Sequence, residues 1–351
     1  MSVRVAIIHP SFGPEGRWID DFVESSAGYR FEKYGLATDE HSWHSRGART
    51  TLAEWSRHFR QAHMAVTSGC EIVVASFPPL ILAACIWKAL LFRSTRVIGW
   101  SFNFGGASRS RAAQIVGRLF RTASLLVTHS RAELATYARI FALPATKLRF
   151  VPLQCGTIHP AAAKSAPDRP YLIAMGSAGR DYATLFAAVR DSDFPVLVIA
   201  KEDAVAGLDV PANVEIRSGL TLEDCWALAA EARAMALPVA QTETASGQVT
   251  FLAAMALRVP LVATQCPGTE DYLTDGSDSI LIAPQDAEGL RAALERVMSD
   301  DALRERLADA AYRKWQDAYS DEAAARNLIS ALDAVAKDIK PASRMPETSN
   351  T

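Results

Sequence analysis

The stretch from Thr242 to Pro284, TETASGQVTFLAAMALRVPLVATQCPGTEDYLTDGSDSILIAP, leaves the surrounding chain few architectures. A loop of small polar residues, Thr242 to Ser246, opens a helix near Gly247. Val249, Leu252, Ala253 and Ala256 recur at helical spacing and give that helix one apolar face. Pro260 ends it, and PLVATQ reads as a short buried strand. CPGTE is a second turn opening a short helix, and SILIAP is a further strand. Loop, helix and strand repeated in this order build a parallel sheet whose loops face a ligand. Ser246 is placed to cap the first helix, and the free N–H groups of Gly247 to Val249 then suit a phosphate. The pattern predicts an anion-binding turn without naming the anion.

With 351 residues, 49% apolar and 22% charged, the chain has material for two domains, each with a full core. VRVAII leads straight into a turn with no charged region before it, so no signal peptide is expected. The uncharged run Ile72 to Trp87 contains Pro78-Pro79 and is too short to span a bilayer. Cys70, Cys85, Cys155, Cys225 and Cys266 form no CxxC pair, and reduced, packed cytoplasmic thiols are expected. The net charge of −2 hides an asymmetry, since residues 1–150 hold 19 Lys+Arg against 10 Asp+Glu. A basic first half and an acidic second half suggest different partners. A solvated surface is the ordinary reading of such a basic face, and an anionic surface or ligand is the sharper one.

Strand VRVAIIHP and the turn SFGPEG lead into a helix at Trp18. Gly13 and Gly16 do not complete GxGxxG, so the dinucleotide fingerprint is missing. A strand over Tyr29 to Lys33 precedes a polar loop whose His41 and His44 read as surface histidines, not a metal pair. Helix Leu52 to Met64 and strand EIVVAS follow. PPLILAACIWKALLF has two readings: a core helix on the sheet, or a helix whose end rests on a membrane with Trp87 and the basic residues at the headgroups. Strand RVIGWSF, loop NFGGAS, the basic-faced helix SRSRAAQIVGRLFR, strand SLLVTH, helix RAELATYARIF and strand LRFVPLQ complete six strands. The Ala/Pro-rich stretch Cys155 to Arg169 is the interdomain linker. The second half supplies strands YLIAMG, PVLVIAK, NVEIRS and AMALPVAQ before the opening stretch, then three amphipathic helices. The domains predicted are 1–158 and 170–320 around a linker at 159–169, with a crossover helix at 321–337 and a disordered tail at 338–351.

In a doubly wound sheet, ligands bind at the edge formed by the carboxyl ends of the strands. Four such loops in the second half carry candidate groups: Gly176 to Arg180, Lys201, Glu243 to Gln248, and Gly268 to Glu270. Two cations, a helix N-terminus and carboxylates suit a nucleoside diphosphate.

GSAGRDYATLFAAV, SGQVTFLAAMALRVPLVAT, PGTEDYLTDGSDSILIAP and LRAALERVMSDDALRERLADAA together resemble the C-terminal domain of family-four glycosyltransferases of the GT-B fold. The resemblance covers roughly residues 170–335, and the first half matches in architecture only. It implies an α/β fold of two Rossmann-like α/β/α domains facing each other across a cleft. The second domain would hold a nucleotide-sugar donor and the first an acceptor, with retaining transfer and no metal or other cofactor. The family's basic residue before the first helix matches Arg180, and its glycine-bearing helix start matches Gly247 to Thr250, including Gln248 and Val249. Its acidic turn residue is approximated by Glu270, beside Gly268. Ser177 stands where the family has an arginine, leaving Lys201 to supply the second cation. Ala253 stands where a ribose-holding glutamate is usual, and Ala245 at the first glutamate position, with Glu243 two residues upstream as a substitute. On the acceptor side Asn103 is nearest to an absent histidine, with Gly13 and His129 as further candidates. No catalytic base stands out among His9, Asp20, Asp21 and His129.

The expected activity is a hexosyl transfer from a nucleoside-diphosphate sugar to a hydroxyl of a glycan or lipid-linked acceptor, in polysaccharide or cell-envelope glycan synthesis. Arg180, Lys201 and the helix dipole near Gly247 would neutralise the leaving diphosphate. The expected location is cytoplasmic and peripheral to the inner membrane face, with an anionic membrane surface as partner of the basic domain and no nucleic acid. The alternative class is a glycosyltransferase-like binding partner that has lost turnover, suggested by Ala253 and Ser177. A sugar-nucleotide epimerase and a nicotinamide dehydrogenase rank lower.

Overall fold

The computed structural model describes residues 2–10, 16–36, 50–104, 110–163, 165–240 and 245–337. Gly13, the His41/His44 loop, Glu243 and the predicted disordered tail at 338–351 lie outside them. The chain gathers into two compact units. The first contains residues up to Thr128, Leu134–Phe150 and the chain from Ala325 on; the second contains His129–Glu133 and Val151–Ala324.

The first unit holds a six-stranded, fully parallel sheet of β1 (Val3–Ile8), β2 (Tyr29–Lys33), β3 (Ile72–Ser76), β4 (Arg96–Trp100), β5 (Leu125–Thr128) and β6 (Leu148–Phe150). Its order is β2-β1-β3-β4-β5-β6. β3 is buried along its whole length, as a strand covered on both faces must be. Helices α1 (Leu52–Thr67), α2 (Pro78–Leu90), α3 (Arg111–Phe120) and α4 (Arg131–Phe141) form the crossovers. α1 starts at a reciprocal cap: Glu54 N–H donates to Thr51 Oγ1, and Thr51 N–H to the Glu54 carboxylate. α2 is a core helix along most of its length, with Leu80, Ile81, Ala84 and Cys85 fully buried.

The helix expected at Trp18 does not form. Two short 3-10 turns, Ile19–Phe22 and Ser25–Ala27, occupy its place. Asp21 accepts the Trp18 N–H, and both Asp20 and Asp21 pair with Lys33. Gly28, in the left-handed region at φ 78°, then turns the chain directly into β2. Local carboxylate pairing and a glycine end the turn before a helix can propagate.

The second unit repeats the plan with β7 (Leu172–Met175), α5 (Tyr182–Val189), β8 (Val196–Ile199), β9 (Val214–Arg217), α6 (Leu222–Glu231), β10 (Ala234–Leu237), α7 (Gln248–Ala256), β11 (Leu261–Thr264) and β12 (Ile280–Ile282). The order β12-β11-β10-β7-β8-β9 reverses direction between β7 and β10. α8 (Ala287–Ser299) and α9 (Asp301–Ala318) follow. α7 differs from expectation. It is buried nearly all round, because the sheet lies on one side and Ala311 and Trp315 of α9 share its core on the other; Val249, expected on the apolar face, is exposed. CPGTE opens no helix: Thr269 Oγ1 donates to the Thr264 carbonyl and accepts from Cys266 N–H, which fixes a compact turn.

α10 (Asp321–Ala336) begins in the second unit and continues in the first. Within the first unit Tyr29 Oη donates to Asp333 at 2.6 Å, Arg149 donates to the Ser330 hydroxyl and carbonyl, and Arg96 donates to the Val335 carbonyl. The last contact supplies a cation to the carboxyl end of a helix. Within the second unit, Tyr272 is a comparable fastener. Its hydroxyl donates to the His129 carbonyl at 2.6 Å and accepts from Leu153 N–H at 2.9 Å. Tyr272→Phe leaves the Leu153 N–H unpaired and removes one of the two donors to the His129 carbonyl, so urea unfolding should show a loss of about 1–2 kcal/mol.

Candidate functional site

The loops after β7 and β10 leave the second sheet at its topological switch point, where they diverge and open a crevice. Short-range contacts draw the neighbouring loops to the same place. Ala240 N–H donates to the Gly179 carbonyl, and Ser246 Oγ donates to the Ala178 carbonyl. Ser177 Oγ accepts from Lys201 N–H at 2.8 Å, which ties in the loop after β8. Gly268, after β11, lies so close to Ser246 that a Cβ there would sit 2.2 Å from the Ser246 carbonyl oxygen. Four separate loops therefore meet around Ser246.

Arg180 stands at the centre. Its guanidinium donates to the Met175 carbonyl (2.9 Å), the Ala178 carbonyl (3.1 Å) and Thr250 Oγ1 (2.9 Å). All three acceptors are neutral, and no carboxylate pairs with it among the described residues. Burial lowers its pKa from the ordinary value, the effect of taking a cation out of water without a counter-ion. Gly176 makes the packing possible: a Cβ there would lie 2.6 Å from an Arg180 terminal nitrogen, and its φ of 106° suits only glycine.

α7 contributes its amino end to the same place. Gly247, at φ 88°, is the N-cap, and Thr250 and Phe251 N–H groups bond its carbonyl. Ser246 was expected to cap this helix and does not, because its hydroxyl is turned to Ala178. The N–H groups of Gln248 and Val249 have no acceptor among the described residues. The Gln248 side chain is buried and donates to the His129 carbonyl.

The structure thus brings together Gly176, Arg180, Ser246, Gly247, Thr250 and Gly268. Lys201 joins them through its backbone; its side chain is exposed and has no ion-pair partner among the described residues. Glu270 and Val249 are exposed and Ala253 is completely buried, so its methyl group is enclosed by core. His129 lies in the interior of the second unit, where Nδ1 donates to the Val151 carbonyl and burial holds its pKa down at about 4. Asn103 follows β4 in the first unit and is half-buried. His9, also in the first unit, meets Phe77 edge to face at 5.4 Å. Sequence reasoning missed Thr250's specific role as the Arg180 partner, and Ser177, whose hydroxyl accepts the Lys201 N–H. A serine three residues before Arg180 carried no signal for that tether. Among the described residues no group of three His, Cys, Asp or Glu could hold a metal ion.

Residues 184–300 match the family described as Glycosyl transferases group 1. The fold is GT-B. A sucrose-phosphate synthase from Thermosynechococcus elongatus superposes with a TM-score of 0.70 at 17% identity, covering 96% of this chain and 100% of that one. The lipopolysaccharide outer core galactosyltransferase WaaB superposes with a TM-score of 0.65 at 14% identity, covering 96% and 100%. Anabaena HepE in complex with UDP-glucose gives 0.63 at 13% identity, covering 80% and 82%. In sequence, the lipopolysaccharide core biosynthesis glycosyltransferase LpsE of Rhizobium meliloti is 32% identical over 73 residues, which span 21% of this chain and 22% of that protein. No described helix is long and apolar enough to cross a membrane.

Two outcomes test this geometry. Gly268→Ala pushes a methyl group against the Ser246 backbone and should cost about 1–3 kcal/mol in urea unfolding. His129 refuses a proton that the unfolded chain accepts below its ordinary pKa of 6.5. Its contribution to stability is therefore constant above pH 6.5 and falls by about 1.4 kcal/mol per pH unit from there toward pH 4. His129→Asn should flatten that part of the stability–pH curve measured by urea unfolding.

Proposed function

We propose that the chain is a glycosyltransferase that moves a hexose-type sugar from a nucleoside-diphosphate sugar to a hydroxyl of a glycan or lipid-linked acceptor. The observation that carries this reading is Arg180: a half-buried cation held, among the described residues, by neutral oxygens alone, beside the amino end of α7. Such a place favours a multiply charged anion. The UDP-glucose complex of HepE and the lipopolysaccharide assignments of LpsE and WaaB support a nucleotide-sugar donor and a role in envelope or polysaccharide synthesis.

In this reading the diphosphate lies over the Gln248 and Val249 N–H groups. Arg180 stabilises one phosphate, and Lys201, placed by Ser177, stabilises the charge that grows as the sugar–phosphate bond breaks. Fixed positive groups aimed at developing charge lower the barrier because they need no reorganisation at the moment of transfer. The acceptor oxygen bonds to the anomeric carbon as the sugar–phosphate bond breaks, and the hydroxyl proton passes to the leaving diphosphate oxygen. Transfer proceeds with retention and without a metal. Gly176 leaves room for the Arg180 guanidinium, and Gly268 lets its loop close on the Ser246 backbone.

A thermal-shift panel of nucleoside-diphosphate sugars tests the reading. A donor at about a hundred times its Kd adds about 2.7 kcal/mol of stability. Arg180→Ala should weaken binding of the best donor by about thirtyfold, the worth of a charge-assisted contact of about 2 kcal/mol. No shift with any nucleotide sugar would overturn the proposal. Ala253, a buried methyl group where the resemblance expects a ribose-holding glutamate, favours a second reading: a donor-binding protein without turnover. Arg180-dependent donor hydrolysis or transfer decides between the two.

A further inference from the structure

Between Glu71 and Glu133 the sequence contains no acidic residue and eight Lys or Arg. This stretch makes β3, α2, β4, α3 and β5, and α2 packs between α1 and α3 in the first unit. The carboxyl end of α2 leaves the core. Leu90 is 62% exposed, Leu91 36% and Phe92 94%. Phe92 also sits at φ 49°, a left-handed conformation that an aromatic residue rarely adopts. Single exposed apolar residues are ordinary, but three in succession followed by Arg93 are not.

The neighbouring helix extends the same surface. Lys88 Nζ donates to the Thr122 carbonyl, which holds the last turn of α2 against the end of α3. α3 turns outward Ile115, 61% exposed, and Arg118 one turn on, also exposed. Trp87, expected at the headgroups in the membrane reading, faces inward: its Nε1 donates to the Phe59 carbonyl and its ring meets His63 at 4.8 Å. The exposed apolar group therefore lies one turn beyond Trp87.

We propose that this face, Leu90 to Arg93 with Ile115 and Arg118, docks on an anionic lipid bilayer. The chemistry selects the occupant. A stretch with cations and no carboxylate complements a negative headgroup layer, and adjacent Leu, Leu and Phe gain by entering the acyl boundary just beneath it. The α2 helix of 13 residues is about 20 Å long, short of the roughly 30 Å hydrocarbon core, so the contact is a docking and not a crossing. The proposal rests on the first unit alone and is independent of the donor site.

Co-sedimentation with phosphatidylcholine vesicles, with and without phosphatidylglycerol, tests it on the full chain. The protein should bind the anionic vesicles and lose them as salt shortens the Debye length. Leu90→Ser with Phe92→Ser should lower that partition at least tenfold. Arg93→Glu with Arg118→Glu should lower it at least twentyfold, since one basic residue near such a surface is worth about fivefold. Both double variants alter exposed side chains only, and unchanged melting temperature and nucleotide binding would establish that they fold. Absence of binding, equal binding to neutral vesicles, or full binding by the serine variant would overturn the proposal. So would concentration-dependent self-association that the serine variant abolishes, which would assign the face to a second copy, or tighter binding to an RNA homopolymer than to vesicles. A protein that binds no nucleotide but passes the vesicle test refutes the donor reading alone.

Discussion

A cation with no carboxylate partner among the described residues governs the second unit. Removing a guanidinium from water is costly unless oxygens replace its hydration, and Arg180 finds three: two carbonyls of its own loop and the Thr250 hydroxyl. Those contacts need the Gly176 turn on one side and the start of α7 on the other. Tyr182 tightens the same loop by donating to the Gly176 carbonyl. Among the described residues no carboxylate cancels the charge, so these contacts hold Arg180 in place and leave it able to attract an anion. Preorganisation of this kind reduces what binding must spend on ordering.

The two sheets reach a similar architecture by different strand orders. Counted from its own first strand, the second sheet runs 3-2-1-4-5-6 and the first 2-1-3-4-5-6. Each order creates one switch point, between β7 and β10 in the second and between β1 and β3 in the first. In the first unit that point is flanked by His9 and by Phe77, whose φ of 67° is unusual for a side-chain-bearing residue. The two switch points thus differ in composition, one bordered by glycines and a cation, the other by aromatic rings.

Strand positions were legible because buried parallel strands are short runs of Val, Ile, Leu and Ala between turn residues, as VRVAII, IVVAS and VLVI show. The loops that meet around Ser246 were legible as positions following those strands. What failed was local and depended on tertiary contacts. The Trp18 segment lost its helix to carboxylates that pair with Lys33. Ser246 looked like a cap in sequence, yet the nearby Ala178 carbonyl draws its hydroxyl away. α7 was read as one-sided because nothing in its own residues reveals that α9 covers the other face. His129 appeared as a candidate acid or base, whereas its burial beneath Tyr272 and Val151 keeps it neutral. In each case a residue distant in sequence decided the outcome.

α10 has a consequence for how the protein is made. The first unit starts with β1, yet its packing includes Leu328, Ala331, Leu332 and Val335, and the fasteners Tyr29, Arg96 and Arg149 all grip that helix. Synthesis runs from the amino end, so the unit whose sheet is made first cannot be finished until the second unit has been translated. The nascent chain carries an incompletely covered first sheet through most of its synthesis, a period in which exposed apolar surface invites misassembly. A break in translation near residue 320 would release a second unit with its sheet complete and a first unit lacking its final helix.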